Sequence, residues 1–253
     1  MEIRMTKKGL LGFVIGLAGG FFGGVAGIGG GVIMIPMMTA FVGLRQREAH
    51  GTSLVAVVFT GAVGALIYSS HGVVDWKAAL ILAASAIPFA RMGALYAHSL
   101  KEKRLRRGFG IFIICVSVLL VIEGWMPGAR ETLAFWPKAL ILLLTGVGTG
   151  FISGMMGVGG GSVMIPAMVI LAGMSQHIAQ GTSLLAMVPV GVIGAFTHYR
   201  LGNVHVHLAA GLAVGAIAGS FLGGSIAILL PDFSLKLIFA SIGIWMGTRY
   251  IRA

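Results

Sequence analysis

Ten apolar stretches divide the chain, at roughly 9–27, 32–44, 52–70, 78–98, 108–124, 137–156, 162–173, 182–200, 206–230 and 236–251. Crossing a hydrocarbon core takes about 20 apolar residues, or about 17 at the short end. Most of the stretches reach that length. Inside lipid each backbone polar group needs an internal partner, and a helix supplies one along a single segment. The sequence therefore predicts an all-α polytopic membrane protein. The second and seventh stretches are too short to span, and each follows a run of glycines. They are expected to be half-helices or re-entrant arms, which leaves eight to ten full crossings.

Charge supports this reading. Soluble domains carry roughly 25% charged residues, whereas this chain carries 10%, with 18 Lys+Arg and 7 Asp+Glu in 253 residues. That excludes a soluble enzyme, and the high apolar content excludes a disordered chain. The net charge of +11 does not point to nucleic acid, because Lys and Arg gather in the short gaps between apolar stretches. With a cytoplasmic N-terminus and one crossing or reversal per stretch, Arg4, Lys7, Lys8, Arg45, Arg47, the cluster at 101–107, Arg200, Arg249 and Arg252 lie inside. Only Lys77, Arg130, Lys138 and Lys236 lie outside. The asymmetry obeys the positive-inside rule and predicts an inner (cytoplasmic) membrane protein with both termini in the cytoplasm. The first stretch, behind a basic leader, resembles a signal peptide; its recurrence near Phe151 without such a leader predicts a retained helix. Cys115, the one cysteine, excludes an intramolecular disulfide and is expected to be a buried apolar residue.

The chain repeats itself at a shift of 130 residues. Gly27, Gly29, Gly30 and Gly31 fall on Gly157, Gly159, Gly160 and Gly161, Pro36 on Pro166, and Gly51-Thr52-Ser53-Leu54 on Gly181-Thr182-Ser183-Leu184; over residues 24–65, 21 of 42 positions are identical without a gap. Each half holds five stretches, so the second enters the membrane from the opposite side. The expected organisation is a first repeat over 1–123, a linker at 124–136 and an inverted second repeat over 137–253. Transporters built this way place their site between the halves, near the midplane. Forty-one glycines, about 16% against a usual ~7%, suit close helix crossings and unwound backbone lining a cavity.

The residues expected to carry chemistry follow the repeat. Successive glycines expose backbone N–H groups that attract anions, which nominates Gly29, Gly30, Gly31, Gly159, Gly160 and Gly161 as substrate-binding. Thr52, Ser53, Thr182 and Ser183 precede long apolar runs. They are expected to cap helix N-termini and offer hydroxyls to an oxyanion. Gln46 and Gln176 match across the repeat, and Arg91 lies within a stretch; these three are additional candidates. Interfacial roles are expected for His198, His205 and His207, because the other ligands of a metal site are missing. Glu48, His50 and Glu123 are the membrane-proximal groups open to a coupling proton. The sequence contains no GxxxxGK[ST], no HExxH and no Gly-x-Ser-x-Gly, so no catalytic residues, metal or cofactor are assigned, and the chain reads as a non-enzyme.

The paired segments Gly24-Val-Ala-Gly-Ile-Gly-Gly-Gly-Val-Ile-Met-Ile-Pro36 and Gly154-Met-Met-Gly-Val-Gly-Gly-Gly-Ser-Val-Met-Ile-Pro166 resemble the hallmark of the TauE/SafE sulfite exporter family. The likeness takes in both repeats, the Gly-Thr-Ser segments and the basic loop at 101–107. It implies a secondary transporter that exports sulfite or a related oxyanion or organosulfonate. The expected partners are thus a small anionic substrate and the lipid bilayer, with oligomeric state open. An anion channel, and a carrier or importer of another small anion, are the alternatives with the same fold.

Overall fold

A computed structural model describes residues 2–97 and 134–252, together with a few positions between 103 and 122. In chain order the helices are α1 (Glu2–Ala26), α2 (Gly31–Met37), α3 (Gln46–Ser70), α4 (Trp76–Tyr96), α5 (Phe135–Met156), α6 (Gly161–Pro166), α7 (Gln176–Arg200), α8 (Val206–Leu229) and α9 (Asp232–Arg252). No strand occurs among the described residues. About half of the fifth apolar stretch, Glu123, residues 124–133 of the expected linker and most of the basic loop at 101–107 fall outside them.

Six helices are long and apolar enough to cross a membrane: α1 from Gly9, α3, α4, α5, α7 and α8. The two short stretches are short helices, as their length predicts. α2 carries Pro36 in its last turn and α6 ends at Pro166, and proline has no N–H for the i→i−4 ladder. The chain continues in a π-helical turn, Met38–Val42 after α2 and Ala167–Leu171 after α6.

Lipid supplies no hydrophobic force between helices, so close packing of small residues must hold them together. α1 lies along α8 on two glycine ladders, Gly12, Gly16, Gly20 and Gly24 facing Gly211, Gly215, Gly219 and Gly223. A methyl on Gly16 would sit 2.2 Å from the Leu212 carbonyl oxygen, and one on Gly215 would sit 2.1 Å from that of Phe13. α4 and α5 pair in the same way: a methyl on Gly150 would meet the Ala86 carbonyl oxygen at 2.1 Å, and one on Gly93 that of Phe151 at 2.1 Å. The first helix of each half thus packs on the fourth apolar helix of the other. Between these pairs run α3 and α7, more buried than the other four candidate spans.

One sequence expectation is overturned here. Cys115 is exposed, not buried. An apolar residue of a membrane helix is satisfied by lipid as well as by protein, so hydrophobicity alone does not place it inside.

Candidate functional site

Each half turns sharply at its glycine run. α1 ends at Ala26; Gly27, Gly29 and Gly30 then hold φ of 72°, 81° and 78°, and Gly157, Gly159 and Gly160 repeat this with 68°, 91° and 86°. L side chains avoid this left-handed region. α2 folds back beside α1, so that a methyl on Gly19 would strike the Met34 side chain at 2.3 Å. The tips of both hairpins close on one pair of residues. A methyl on Gly29 would lie 3.1 Å from Val57 Cγ1 and 3.2 Å from Met187 Sδ; on Gly159 the same atoms would lie at 2.8 and 3.1 Å. Val57 and Met187 are themselves 130 positions apart. Residues 27–31 and 157–161 are buried throughout.

The hydroxyls latch each hairpin to the other half. Ser53 Oγ donates to the Gly157 carbonyl oxygen (2.9 Å), and Ser183 Oγ donates to that of Gly27 (2.8 Å). Each also reaches the carbonyl three residues back, His50 or Gln180. Thr52 Oγ1 accepts from the His205 N–H at 3.1 Å, and Thr182 Oγ1 from the Asp75 N–H at 2.9 Å. These hydroxyls therefore do not cap their own helices, as the sequence suggested. α3 and α7 begin six residues earlier, at Gln46 and Gln176, with Ser175 Oγ capping Ile178 N–H. Thr52 and Thr182 instead bind the residue that begins the facing helix, α8 or α4. All four hydroxyl residues are fully buried.

Around this frame the two halves differ chemically. The Tyr68 hydroxyl donates to Gln180 Oε1 (3.0 Å) and reaches the Gly24 carbonyl oxygen (3.2 Å). Its equivalent, His198, binds the Gly154 carbonyl through Nε2 at 2.9 Å. His198 is thus buried, 1% exposed, and not interfacial. His50 accepts from Gln46 Nε2 at 3.0 Å while its Nδ1–H meets the Met155 carbonyl at 3.2 Å. On the other side, neither amide atom of Gln176 has a hydrogen-bond partner, and Gln180 Nε2, Thr149 Oγ1, Ser153 Oγ and Ser162 Oγ also lack one. Leaving a buried polar group unpaired costs about 1–3 kcal/mol, and all five of these residues belong to the second half.

Charged groups gather at each end of α3. A cavity of about 570 Å³ is lined by Gly72, Asp75, Lys77, Lys138, Met174 and Ser175 among others. There Lys138 Nζ pairs with Asp75 Oδ2 at 2.9 Å. Burial works to raise the Asp75 carboxyl, but the N–H of Ala78 and the Lys138 ammonium outweigh it and hold the group below its usual range. At the other end His205 Nε2 lies 3.6 Å from Glu48 Oε1, which also binds Arg45 at 2.8 Å. Arg91 faces outward, exposed, on α4, away from the hairpins, and His207 is exposed. Among the described residues no three His, Cys, Asp or Glu side chains come together as a metal site would require.

The structure therefore gathers Gly29, Gly31, Ser53, Gly159, Gly161 and Ser183 at one place, with Thr52 and Thr182 beside them, bonded to the starts of α8 and α4. Sequence reasoning missed Tyr68, Gln180, Thr149 and Ser153. Reading the 130-residue shift for its mismatches as well as its identities would have found them.

Known proteins fit the same frame. The family model described as "Sulfite exporter TauE/SafE" matches residues 12–250. The probable membrane transporter protein YunE of Bacillus subtilis is 28% identical, covering 94% of this chain and 95% of its own. A probable membrane transporter protein of Xylella fastidiosa is 30% identical, covering 89% of this chain and 84% of its own. One from Methanocaldococcus jannaschii is 26% identical, covering 92% and 90%. No solved structure matches. With a match across nearly its whole length, the chain belongs to the TauE/SafE family of membrane transporters.

Proposed function

We propose that this chain is a secondary transporter that exports a small sulfur-containing oxyanion, sulfite or an organosulfonate, by alternating access between two inverted repeats, 1–123 and 137–253. It would sit in the cytoplasmic membrane with both termini inside. The observation that carries the reading is the reciprocal latch, in which Ser53 holds the Gly157 carbonyl and Ser183 holds that of Gly27. Two glycine hairpins meeting midway along α3 and α7, at Val57 and Met187, are what a substrate site between inverted halves requires. Gly29, Gly30, Gly31, Thr52, Ser53 and their equivalents Gly159, Gly160, Gly161, Thr182 and Ser183 would bind the anion. In the closed arrangement the serine protons are held by carbonyls; rocking of the halves would release them to an oxyanion. Gln46 and Gln176 would line the approaches.

Outward movement of an anion runs with an inside-negative potential, worth roughly 2.3 kcal/mol per charge per 100 mV, so uniport needs no coupling ion. The test is flux in proteoliposomes under a set potential, with sulfite offered against sulfate, thiosulfate, chloride and a sulfonate. Saturable outward sulfite flux that rises as the inside is made more negative, and that collapses in the Ser53→Ala, Ser183→Ala double variant, is expected. Flux indifferent to potential would remove uniport, and flux that does not saturate would make the protein a channel.

A further inference from the structure

We infer that the oxyanion seat lies in the second repeat rather than evenly between the two, on the hydroxyls of Thr149 and Ser153 of α5 against the Gly159–Gly160 backbone. The inference rests on the transport reading and narrows its site. Thr149 and Ser153 stand one helical turn apart on one face, and that face meets the hairpin. Thr149 Cγ2 lies 2.4 Å, and Ser153 Cβ 3.5 Å, from where a methyl on Gly160 would sit. Both residues are buried, 0% and 1% exposed, and neither hydroxyl has a partner.

A helical Ser or Thr normally resolves such a deficit by bonding its own carbonyl one turn back. Thr60, Ser85 and Thr197 all do so here, to Ala56, Ile81 and Ile193. Thr149 and Ser153 have the same option and leave it unused. Ser162, two residues beyond Gly160 and 1% exposed, is a third unpartnered hydroxyl in the next turn of chain. At the first repeat's hairpin the equivalents of Thr149, Ser153 and Ser162 are Gly19, Gly23 and Val32, which carry no hydroxyl. The glycines there let α2 pack directly on α1, where a methyl on Gly23 would strike Gly30 N at 2.5 Å. One hairpin is thus packed on glycine alone, and the other is flanked by three buried, unpartnered hydroxyls of the kind that bind the oxygens of a sulfite or sulfonate group.

The experiment uses the full chain in proteoliposomes, reading the apparent KM for sulfite, and in detergent, reading the melting temperature with and without sulfite. Thr149→Val and Ser153→Ala should each raise KM about tenfold, the usual effect of removing a donor to a charged group. Thr149→Ser should keep a value near wild type. Thr197→Val, which removes a hydroxyl already bonded to its own helix, should leave KM unchanged. Without sulfite, the Thr149→Val and Ser153→Ala proteins should melt at or above the wild-type temperature, because an unpaired buried group has gone; sulfite should stabilise them less than wild type. A fall in melting temperature with KM unchanged would make the hydroxyls structural and overturn the seat. Wild-type sulfite flux with KM unchanged in both variants would overturn the seat and leave the transport reading standing. A wild type that neither moves nor is stabilised by any offered oxyanion would overturn both.

Discussion

A single proton decides what Ser53 and Ser183 do. Each hydroxyl has one, and in this arrangement it goes to carbonyls, including that of the opposite hairpin at 2.9 or 2.8 Å. Removing either serine leaves a buried carbonyl short of a partner. Ser53→Ala and Ser183→Ala should therefore each destabilise the protein by about 1–2 kcal/mol, read as a lowered thermal midpoint in detergent. Asp75 carries a different prediction. Its carboxyl is held below the usual range, so the folded state binds that proton less readily than the unfolded chain does. The stabilisation from its link to Lys138 is then complete above the ordinary carboxylate range, about 3.9, and is lost as pH falls through the lower folded value. Asp75→Asn should lower stability near neutrality, where the wild-type link is complete, and flatten the acid side so that the two curves converge at low pH, as measured by thermal unfolding across pH.

Among the helices, the glycine ladders set the spacing. With a methyl on Gly16 only 2.2 Å from a backbone oxygen, α1 cannot stay against α8 once a side chain is added. Gly16→Val should cost about 1–3 kcal/mol from overpacking, or prevent accumulation of folded protein. Nothing lies within 4 Å of a methyl added at Gly148, in the middle of α5. Gly148→Ala should be neutral or stabilising by about 0.5–1 kcal/mol, because alanine loses less backbone entropy in a helix. Comparing the two by denaturation in detergent separates close contact from glycine content as such. The composition already announced small-residue packing, but which glycines touch a neighbour depends on helix rotation, and one sequence does not encode that in any periodicity.

For the molecule as a whole, the open question is which way each half faces. Arg45 and Leu201 lie at helix ends near the Glu48–His205 pair, whereas His71 and Ser175 lie near the Asp75–Lys138 pair and its cavity. In a Cys115→Ser background, Arg45→Cys and Leu201→Cys should react with an impermeant thiol reagent only from the cytoplasmic side. His71→Cys and Ser175→Cys should react only from outside. Because Arg45 and Ser175 are repeat equivalents, as are His71 and Leu201, labelling of both members of a pair from the same side would refute the inversion.

Much was legible beforehand: the helical membrane class, the two short helices after the glycine runs, and the kinship of residues 24–65 with 154–195. Each of these is local. The length of an apolar run, its breaks and its self-similarity at a fixed shift are properties of the chain read in order. The partners of the nominated residues were not legible. Thr52 and Thr182 looked like caps for their own helices and proved to hold the residues that start α8 and α4, and His198 looked interfacial and proved buried against Gly154. Those pairings join residues 44 to 153 positions apart. Only the packing of the two halves brings them within hydrogen-bonding distance, and that packing turns on backbone surfaces that glycine exposes without a side chain to mark them.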